Sequence, residues 1–201
     1  MFSQNDEERI ILEYFGNFKG VFAEIGANDG ITFSNTYALA EMGWAGVCIE
    51  PSPKAFKKLS ELYKDRGNID LYNVALGAKT ETVILSESSS LESENDIGLV
   101  STLKDSEKER FKDVVTYGDV EVQCWNWELF MHITPLTDFN FISMDIEGSE
   151  LDVLPHMDLS KTRLICLEWN LKEELKREYE KYLDGFNLIH TTPENLIYGR
   201  M

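Results

Sequence analysis

Apolar runs of strand length alternate with amphipathic segments along most of the chain. Five runs are short and continuous enough to be buried strands: 21–25, 45–50, 69–76, 141–146 and 163–169. Segments with apolar residues at helical spacing lie between them, at 34–42, 54–63 and 148–154. Strands that alternate with helices predict βαβ units, a mainly parallel sheet and helices on both of its faces.

The C-terminal part of the chain departs from this alternation. A helical segment at 171–183 is followed by two apolar runs, FNLIH and NLIYG, with only residues 191–194 between them. A parallel crossover needs about a dozen residues or more, so these two strands must be antiparallel. The pattern therefore predicts a parallel sheet that ends in an antiparallel hairpin.

A longer region, 77–140, separates the third predicted strand from the fourth. It begins with SESSSLESEND at 86–96, which contains four acidic residues, five serines and no basic residue. This composition predicts a mobile, solvated loop. Within a variable segment at 86–118, the loop is either a surface insertion or a lid over a substrate. Further on, the pattern predicts an additional strand at 120–124 and a short helix at 125–131.

Length and charge limit the classes of protein that this chain can belong to. A chain of 201 residues suits one domain with a sizeable core, here with residues 1–20 as an N-terminal helical extension. It carries 19 Lys and Arg against 36 Asp and Glu, a formal net charge of −17. Binding to nucleic acid depends on basic residues that neutralise phosphates, so neither nucleic acid nor an anionic membrane is an expected partner.

The N-terminal sequence and the positions of the cysteines predict a cytoplasmic protein. The N-terminal sequence MFSQNDEERI lacks the basic and apolar regions of a secretory signal, and no apolar run is long enough for a membrane span. Cys48, Cys124 and Cys166 lie in or beside apolar runs, without the spacing of metal ligands. We expect a cytoplasmic protein with three reduced, buried cysteines.

The densest candidate chemistry follows the first predicted strand, in the sequence EIGANDG at 24–30. Ligands of open α/β sheets bind beyond the carboxyl ends of the strands. Gly26 permits a sharp turn and Gly30 a close backbone approach, but position 28 is not glycine, so the run is not the G-x-G-x-x-G of dinucleotide enzymes. Glu24 and Asp29 disfavour a pyrophosphate and suit a ligand with a cationic amino group.

A second acidic residue follows at a distance that suits a nucleoside. Glu50 ends the second predicted strand, 20 residues after Gly30, where a carboxylate can accept hydrogen bonds from both ribose hydroxyls. Each acid taken alone could instead be a helix-dipole partner or a solvated strand end. Glu24 and Glu50 together favour an adenosine ligand with an amino acid tail, which is S-adenosylmethionine.

Six segments of the chain form a set of motifs: EIGANDG, SNT at 34–36, GWAGVCIEPSP at 43–53, NVALG at 73–77, FISMDIEGSELDVL at 141–154 and ICLEWN at 165–170. Together they resemble the FkbM family of S-adenosylmethionine-dependent methyltransferases. The resemblance implies an α/β, Rossmann-like class I methyltransferase fold, with a mostly parallel seven-stranded sheet of order 3-2-1-4-5-7-6 and strand 7 antiparallel. It also implies methyl transfer to a hydroxyl group of a carbohydrate or small natural product.

The resemblance further implies cofactor contacts after each of the first strands. The methionine part would be surrounded by Glu24, Gly26, Ala27, Asn28 and Gly30, and its carboxylate reached by Ser34 and Asn35. The ribose would be held by Glu50, and the adenine would lie between Pro51 or Ser52 and the segment Asn73, Val74 and Ala75. Asp145 would lie between cofactor and acceptor.

Methylation of a hydroxyl requires a group that removes its proton, or a metal ion. Asp145 follows the fourth strand, and Glu168 and Asn170 follow the fifth, so their oxygens could converge. This arrangement resembles the magnesium site of catechol O-methyltransferases and predicts a site for Mg²⁺ or another divalent cation. In this sequence Trp169 separates Glu168 from Asn170, which departs from the pattern of that magnesium site. Asp145 or Glu168 as a direct base is the alternative, and His190 near the sheet rim is another candidate base.

Two other functions remain open from the sequence. One is an NAD(P)-dependent oxidoreductase on a similar sheet, which the absence of a third glycine and the presence of Glu24 disfavour. The other is a non-catalytic domain that keeps the cofactor pocket, which Asp145 and Glu168 disfavour. The acceptor and the oligomeric state are left open, and we expect a small-molecule or carbohydrate hydroxyl acceptor.

Overall fold

The computed structural model describes residues 1–90 and 98–200, which form two sheets with strands numbered in chain order. The larger sheet contains β1 (Val21–Ile25), β2 (Ala45–Ile49), β3 (Ile69–Tyr72), β7 (Phe141–Met144), β8 (Leu164–Glu168), β9 (Asn187–Thr191) and β10 (Asn195–Gly199). The smaller sheet contains β4 (Ala75–Leu76), β5 (Glu81–Ser90) and β6 (Val115–Trp125), in the order β4-β6-β5.

The larger sheet has the predicted topology. Its order is β3-β2-β1-β7-β8-β10-β9, which becomes 3-2-1-4-5-7-6 when only its own seven strands are numbered. The pairs from β3 to β8 are parallel, and β10 is antiparallel to both of its neighbours, β8 and β9. The alternation of strands and helices and the closing hairpin, both read from the sequence, are therefore confirmed.

Helices cover both faces of the larger sheet. The described helices are α1 (Glu7–Phe15), α2 (Tyr37–Glu41), α3 (Pro53–Tyr63), α4 (Asp105–Phe111), α5 (Trp127–Ile133), α6 (Glu150–Val153) with a 3-10 turn at Leu154–His156, and α7 (Glu173–Tyr179), and all of them except α4 contribute buried residues to the two core clusters of this sheet. Side chains of β1 alternate between two core clusters, with Phe22 in one and Ala23 in the other. Because both faces are buried, the strands are continuous apolar runs rather than alternating ones.

Local sequence explains where several of these elements begin. Helix α3 starts with Ser52 as its N-cap, whose hydroxyl accepts a hydrogen bond from the Ala55 N–H at 3.2 Å, and with Pro53 in its first turn. Helix α1 begins the predicted N-terminal extension and buries Ile11 and Phe15 against the sheet. In the described part of the chain, no helix is long and apolar enough to cross a membrane. All three cysteines are free and buried, as expected.

The third predicted strand is shorter than expected. The apolar run 69–76 breaks after Tyr72, and Ala75–Leu76 forms β4 in the smaller sheet, where it pairs with β6. The Asn73 side-chain amide lies at the break and donates to the backbone carbonyls of Glu50 and Pro51, at 2.8 and 3.1 Å. This side chain joins the ends of β2 and β3 and redirects the chain into the second sheet.

The prediction of a mobile, solvated loop at 86–96 is wrong for its first five residues. Ser86–Ser90 continues β5 and pairs residue by residue with β6, while 91–97 lie outside the described residues. Ser86 exchanges two backbone hydrogen bonds with Thr102, at 3.0 and 3.1 Å, and the buried Ser88 hydroxyl accepts from the Val100 N–H at 3.3 Å. Distant partners that satisfy these polar groups allow the serines to enter a strand, which composition cannot reveal.

Gly26 provides a test of the close contact between the loops that follow β1 and β7. It has a φ of 86°, and a Cβ at this position would lie 1.8 Å from the backbone oxygen of Asp145. We expect Gly26→Ala to lower the free energy of unfolding by about 3 kcal/mol or more, because the backbone has to move apart. Urea denaturation followed by circular dichroism measures this loss.

Gly118→Ala in β6 is the matched control. A Cβ at Gly118 meets nothing within 4 Å, so the substitution should change the free energy of unfolding by no more than about 0.5 kcal/mol. Equal stabilities for the two variants would show that the approach of the two loops is not a constraint on folding.

Candidate active site

The carboxyl ends of β1, β2, β7 and β8 surround one cavity of about 380 Å³. The strands and the loops after them form its floor. The segment 98–103, with Arg110 and Phe111 at the end of α4, covers it from the side of the smaller sheet. Gln4 and Glu194 close a further side. The cavity therefore lies where ligands of open α/β sheets bind.

The turn after β1 joins three strand ends. The N–H groups of Gly26 and Ala27 both donate to the carbonyl of Ile49, at 2.9 and 3.0 Å. The Asp145 N–H donates to the Ile25 carbonyl at 2.9 Å. These bonds fix the loops after β1, β2 and β7 against one another, so the side chains that leave them point into the same space.

Glu24 is buried at the base of the cavity and holds the segment that follows the turn. The hydroxyls of Ser34 and Thr36 donate to its two carboxylate oxygens, at 2.7 and 2.8 Å. Burial raises the pKa of Glu24 to about 7, against the opposing effect of these hydrogen bonds. Asn35, between the two hydroxyl residues, also lines the cavity, and its buried Oδ1 has no hydrogen-bond partner among the described residues.

Glu50 is held by backbone groups instead of side chains. Its two oxygens accept from the N–H groups of Asn28 and Ser52, at 2.8 and 2.7 Å. Burial raises the pKa of Glu50 to about 7, and the nearby negative charges of Glu87 and Asp145 act in the same direction. A carboxylate oxygen can accept more than one hydrogen bond, so Glu50 remains able to receive ligand hydroxyls in the cavity.

A cluster of carboxylates lies at the ends of β7 and β8 and lines the same cavity. Asp145, Glu147 and Glu168 each offer an oxygen within 4.8 Å of the others. Asp145 is the exposed member and its side chain faces the cavity, while Glu147 and Glu168 are buried. Burial raises the pKa of Glu168, and the charge of Asp145 and the hydrogen bond shared with it raise this pKa further. The cluster therefore retains protons more readily than ordinary carboxylic acids do.

Two turns with left-handed backbone conformations bring this cluster together. Glu147 has a φ of 49°, and its carbonyl accepts from the Thr102 hydroxyl at 2.9 Å. Strand β8 ends at Glu168, and Asn170, with a φ of 50°, turns the chain so that its side-chain amide donates to the Glu168 carboxylate. This turn places the Asn170 amide directly against the Glu168 carboxylate.

Most of the residues predicted for the site line the cavity. They are Glu24, Gly26, Ala27, Asn28, Ser34, Asn35, Glu50, Pro51, Val74, Ala75, Asp145, Glu168 and Asn170. Four predicted residues do not: Gly30, Ser52, Asn73 and His190.

The four residues outside the lining have structural contacts. A Cβ on Gly30 would lie 2.7 Å from Leu59, so this glycine lets the loop pack on α3. Ser52 caps α3, and Asn73 joins two strand ends as described above. His190 lies on β9, where its Nε2 contacts Asp6 Oδ1 at 2.8 Å, away from the cavity where a base would act.

Several other residues that line the cavity lie in segments where the sequence contains no motif. Thr102, Arg110 and Phe111 come from the variable segment, and Gln4 comes from the N-terminal extension. Only Glu147, in the motif DIEGSE, was recognisable as a carboxylate near a strand end. The side of the cavity away from the sheet is therefore built from segments without motifs.

Comparison with known proteins agrees with this geometry. A family profile described as the methyltransferase FkbM domain matches residues 24–187. The chain belongs to this family. The match runs from Glu24, near the end of β1, to the first residue of β9, and therefore includes the carboxyl ends of β1, β2, β7 and β8. Membership in a methyltransferase family does not support the oxidoreductase alternative. A search of curated proteins finds no match.

Solved structures share the fold at low sequence identity. The FkbM methyltransferase from Methylobacillus flagellatus KT aligns over 90% of this chain and 43% of its own, with 16% identity and a TM-score of 0.56. This chain thus spans less than half of that protein. A methyltransferase from Geobacter sulfurreducens aligns over 100% and 80%, with 11% identity and a TM-score of 0.53. TrmK of M. capricolum, solved with S-adenosylhomocysteine, aligns over 100% and 70%, with 8% identity and a TM-score of 0.52.

The two buried glutamates, Glu24 and Glu50, should make the free energy of unfolding depend on pH. Glu24 and Glu50 have an ordinary pKa of 4.5 when the chain is unfolded and about 7 when it is folded. The folded state therefore binds more protons between these values, and its stability falls as the pH rises through this range. Glu24→Gln should match the wild type near pH 5 and exceed its free energy of unfolding at pH 8 by up to about 3 kcal/mol. Urea denaturation at both pH values measures this difference.

Glu50→Gln should behave differently from Glu24→Gln, because the hydrogen bonds described for the Glu50 carboxylate come from backbone N–H groups, which cannot accept a hydrogen bond as a hydroxyl can. One end of a glutamine amide would face a backbone N–H with its own NH₂ group and leave that donor unsatisfied. We expect a loss of about 1–3 kcal/mol even at pH 5. Glu13→Gln, at an exposed position on α1, should change stability by no more than about 0.5 kcal/mol at either pH. A Glu24→Gln variant less stable than the wild type at pH 8 would contradict the assignment of a buried charge.

Proposed function

We propose that the chain is an S-adenosylmethionine-dependent O-methyltransferase that acts on a hydroxyl group of a carbohydrate or small natural product. The observation that carries this proposal is the division of one cavity into two carboxylate-lined sides. Glu24 and Glu50 lie at the ends of β1 and β2, and the cluster around Asp145 lies at the ends of β7 and β8. The first side suits a cationic nucleoside, and the second suits a group that loses a proton.

The residues of the first side fit the cofactor. The cavity volume of about 380 Å³ lies within the range of small-molecule sites. Val74, Ala75 and Leu76 give it a buried apolar wall that suits an adenine ring. Glu50 suits the ribose hydroxyls, and the unpartnered Oδ1 of Asn35, near Glu24, suits a donor such as an ammonium group. When bound, the cofactor supplies an electrophilic methyl group.

The residues of the second side can prepare the acceptor. Asp145 faces the cavity, so it is the carboxylate positioned to take the proton of a hydroxyl. Asp145 is accessible from the cavity, but the surrounding protein displaces much of the water around its carboxylate, and this desolvation raises its pKa. An elevated pKa makes a carboxylate a stronger base at neutral pH. Glu168 shares a hydrogen bond with Asp145 and is itself held by Asn170. This chain of contacts orients Asp145 and lets the pair hold the proton that it accepts.

The same cluster also suits a divalent cation, which is the other route considered from the sequence. Asp145, Glu147 and Glu168 offer three carboxylate oxygens, and Glu147 Oε2 is buried without a hydrogen-bond partner among the described residues. Oxygen ligands suit Mg²⁺ or Ca²⁺. Asn170 stands behind Glu168 and would orient it. When bound, such a cation would lower the pKa of the acceptor hydroxyl.

Calorimetric titration tests the cofactor. We expect S-adenosylmethionine and S-adenosylhomocysteine to bind and NADH not to bind. Glu50→Ala should weaken S-adenosylhomocysteine binding at least about tenfold, because two ribose hydroxyls lose a charged acceptor. Glu13→Ala, at an exposed position on α1, is the control and should bind as the wild type does. Binding of NADH without either adenosyl ligand would refute the proposal.

Manganese binding separates the two routes for activating the acceptor. If the cluster holds a cation, Mn²⁺ should bind to the wild type in an electron paramagnetic resonance titration, and Asp145→Asn should weaken this binding at least about tenfold. Glu24→Gln, on the other side of the cavity, should leave it within about twofold. Absence of Mn²⁺ binding at millimolar concentration, together with turnover that EDTA does not change, would assign Asp145 as a direct base.

A further inference from the structure

Arg110 is the one basic side chain that lines the cavity in the described part of the chain. The same lining contains the carboxylates of Glu24, Glu50, Asp145, Glu147, Glu168 and Glu194. A ligand with a negatively charged group would be repelled at almost every point of this wall. The position of Arg110 is therefore the place where such a group can be accommodated.

The Arg110 guanidinium is weakly engaged within the chain. Its Nη1 lies 3.4 Å from Glu107 Oε2, a long contact, and Glu107 is already paired with Lys172 through Oε1 at 2.7 Å. The Arg110 side chain is 35% exposed and packs over the ring of Phe111, with 4.6 Å between the guanidinium carbon and the ring centroid. No other hydrogen bond from this guanidinium to the described residues occurs, so most of its five N–H donors face solvent or cavity.

Arg110 lies on the acceptor side of the cavity. Its helix, α4, packs over the turn that follows β7, where a Cβ on Gly148 would lie 3.2 Å from Glu107 Cγ. The positive charge of Arg110 opposes the effect of burial on the pKa of Asp145 and of Glu147. Burial raises the pKa of Glu24, and burial together with the charges of Glu87 and Asp145 raises the pKa of Glu50. Arg110 thus belongs to the helix that packs against the turn carrying Glu147 and lines the same cavity as Asp145.

We propose that Arg110 binds an oxyanion, a carboxylate or a phosphate, carried by the acceptor, so that the substrate is an acidic hydroxy compound. This inference rests on the proposed methyl transfer to a hydroxyl. A guanidinium offers a planar pair of N–H donors that matches carboxylate and phosphate oxygens, and the Phe111 ring restricts its orientation. An anchor beside Asp145 and Glu147 would hold the charged end of the acceptor and leave its hydroxyl near Asp145.

Oxyanion binding to the protein saturated with S-adenosylhomocysteine tests this proposal. The protein is saturated so that the carboxylate of S-adenosylhomocysteine already occupies its own place, and an added oxyanion cannot bind there. The probes in calorimetric titrations are inorganic phosphate, glucuronate, glucose 6-phosphate and glucose. We expect phosphate to bind the wild type and Arg110→Gln to weaken it at least about tenfold, with Arg110→Lys intermediate because it keeps the charge without the planar fork.

Lys112→Gln is the matched control. It removes a positive charge two residues away, from a side chain that pairs with Glu109 and does not line the cavity, so it should bind phosphate within about twofold of the wild type. Thermal unfolding of every variant, compared with the wild type, confirms that each one is folded. The affinities of glucuronate and glucose 6-phosphate, each relative to glucose, identify the oxyanion as a carboxylate or a phosphate.

Three results would overturn the proposal: no phosphate binding to the wild type, equal binding to Arg110→Gln, or equal binding of the two acidic sugars and glucose. A loss of S-adenosylhomocysteine affinity in Arg110→Gln would also overturn it, since Arg110 would then hold the cofactor. Failure of the wild type to bind S-adenosylhomocysteine would instead refute the proposed function. The phosphate titration of the unliganded protein would in that case still report on Arg110.

Discussion

The contact between Gly26 and the backbone of Asp145 determines how the site is assembled. The loops after β1 and β7 approach so closely that a side chain at Gly26 would overlap the Asp145 carbonyl. Hydrogen bonds from Gly26 and Ala27 to Ile49 join the end of β2 to the same point. Because three strand ends meet there, Glu24, inside β1, and the residues just after β2 and β7 surround a single cavity. A looser turn would separate these carboxylates.

This convergence has an electrostatic consequence. Many of the chain's other acidic residues pair with Lys or Arg three or four positions away at exposed sites, where each pair contributes little. The carboxylates of Glu24 and Glu50 are instead buried in the cavity wall, and burial raises the pKa of each to about 7. A cationic ligand favours their charged forms, so its binding is coupled to proton release and strengthens as the pH rises. The acidic residues thus fall into two groups, exposed ones that are solvated or paired at the surface and buried ones that would favour the cationic ligand of the proposed function.

The sequence was informative where local pattern and strand position determine structure. Continuous apolar runs predicted the buried strands, and the short gap at 191–194 predicted the antiparallel hairpin. It was uninformative where a distant partner decides the conformation. Ser86 and Ser88 enter a strand because Thr102 and Val100 complete their hydrogen bonds, and Asn170 turns toward Glu168 through a left-handed conformation that its residue type permits but does not require. The role of Arg110 depends on the packing of α4 over a turn about 40 residues away in sequence, which no local motif records.

The smaller sheet links the two sides of the cavity. Strand β4 follows β3 after only two residues, so Val74 and Ala75 form the apolar wall on the cofactor side where the chain enters the insertion. The same insertion returns through Thr102, which donates to the Glu147 carbonyl, and through α4, which carries Arg110. One insertion thus contacts both the proposed cofactor side and the proposed acceptor side, while Asp145 and Glu168 follow or end strands of the larger sheet. Under the proposed function, substitutions at Arg110 or Phe111 would change the part of the cavity that receives the acceptor, while the carboxylates at the strand ends would stay in place because the larger sheet holds them.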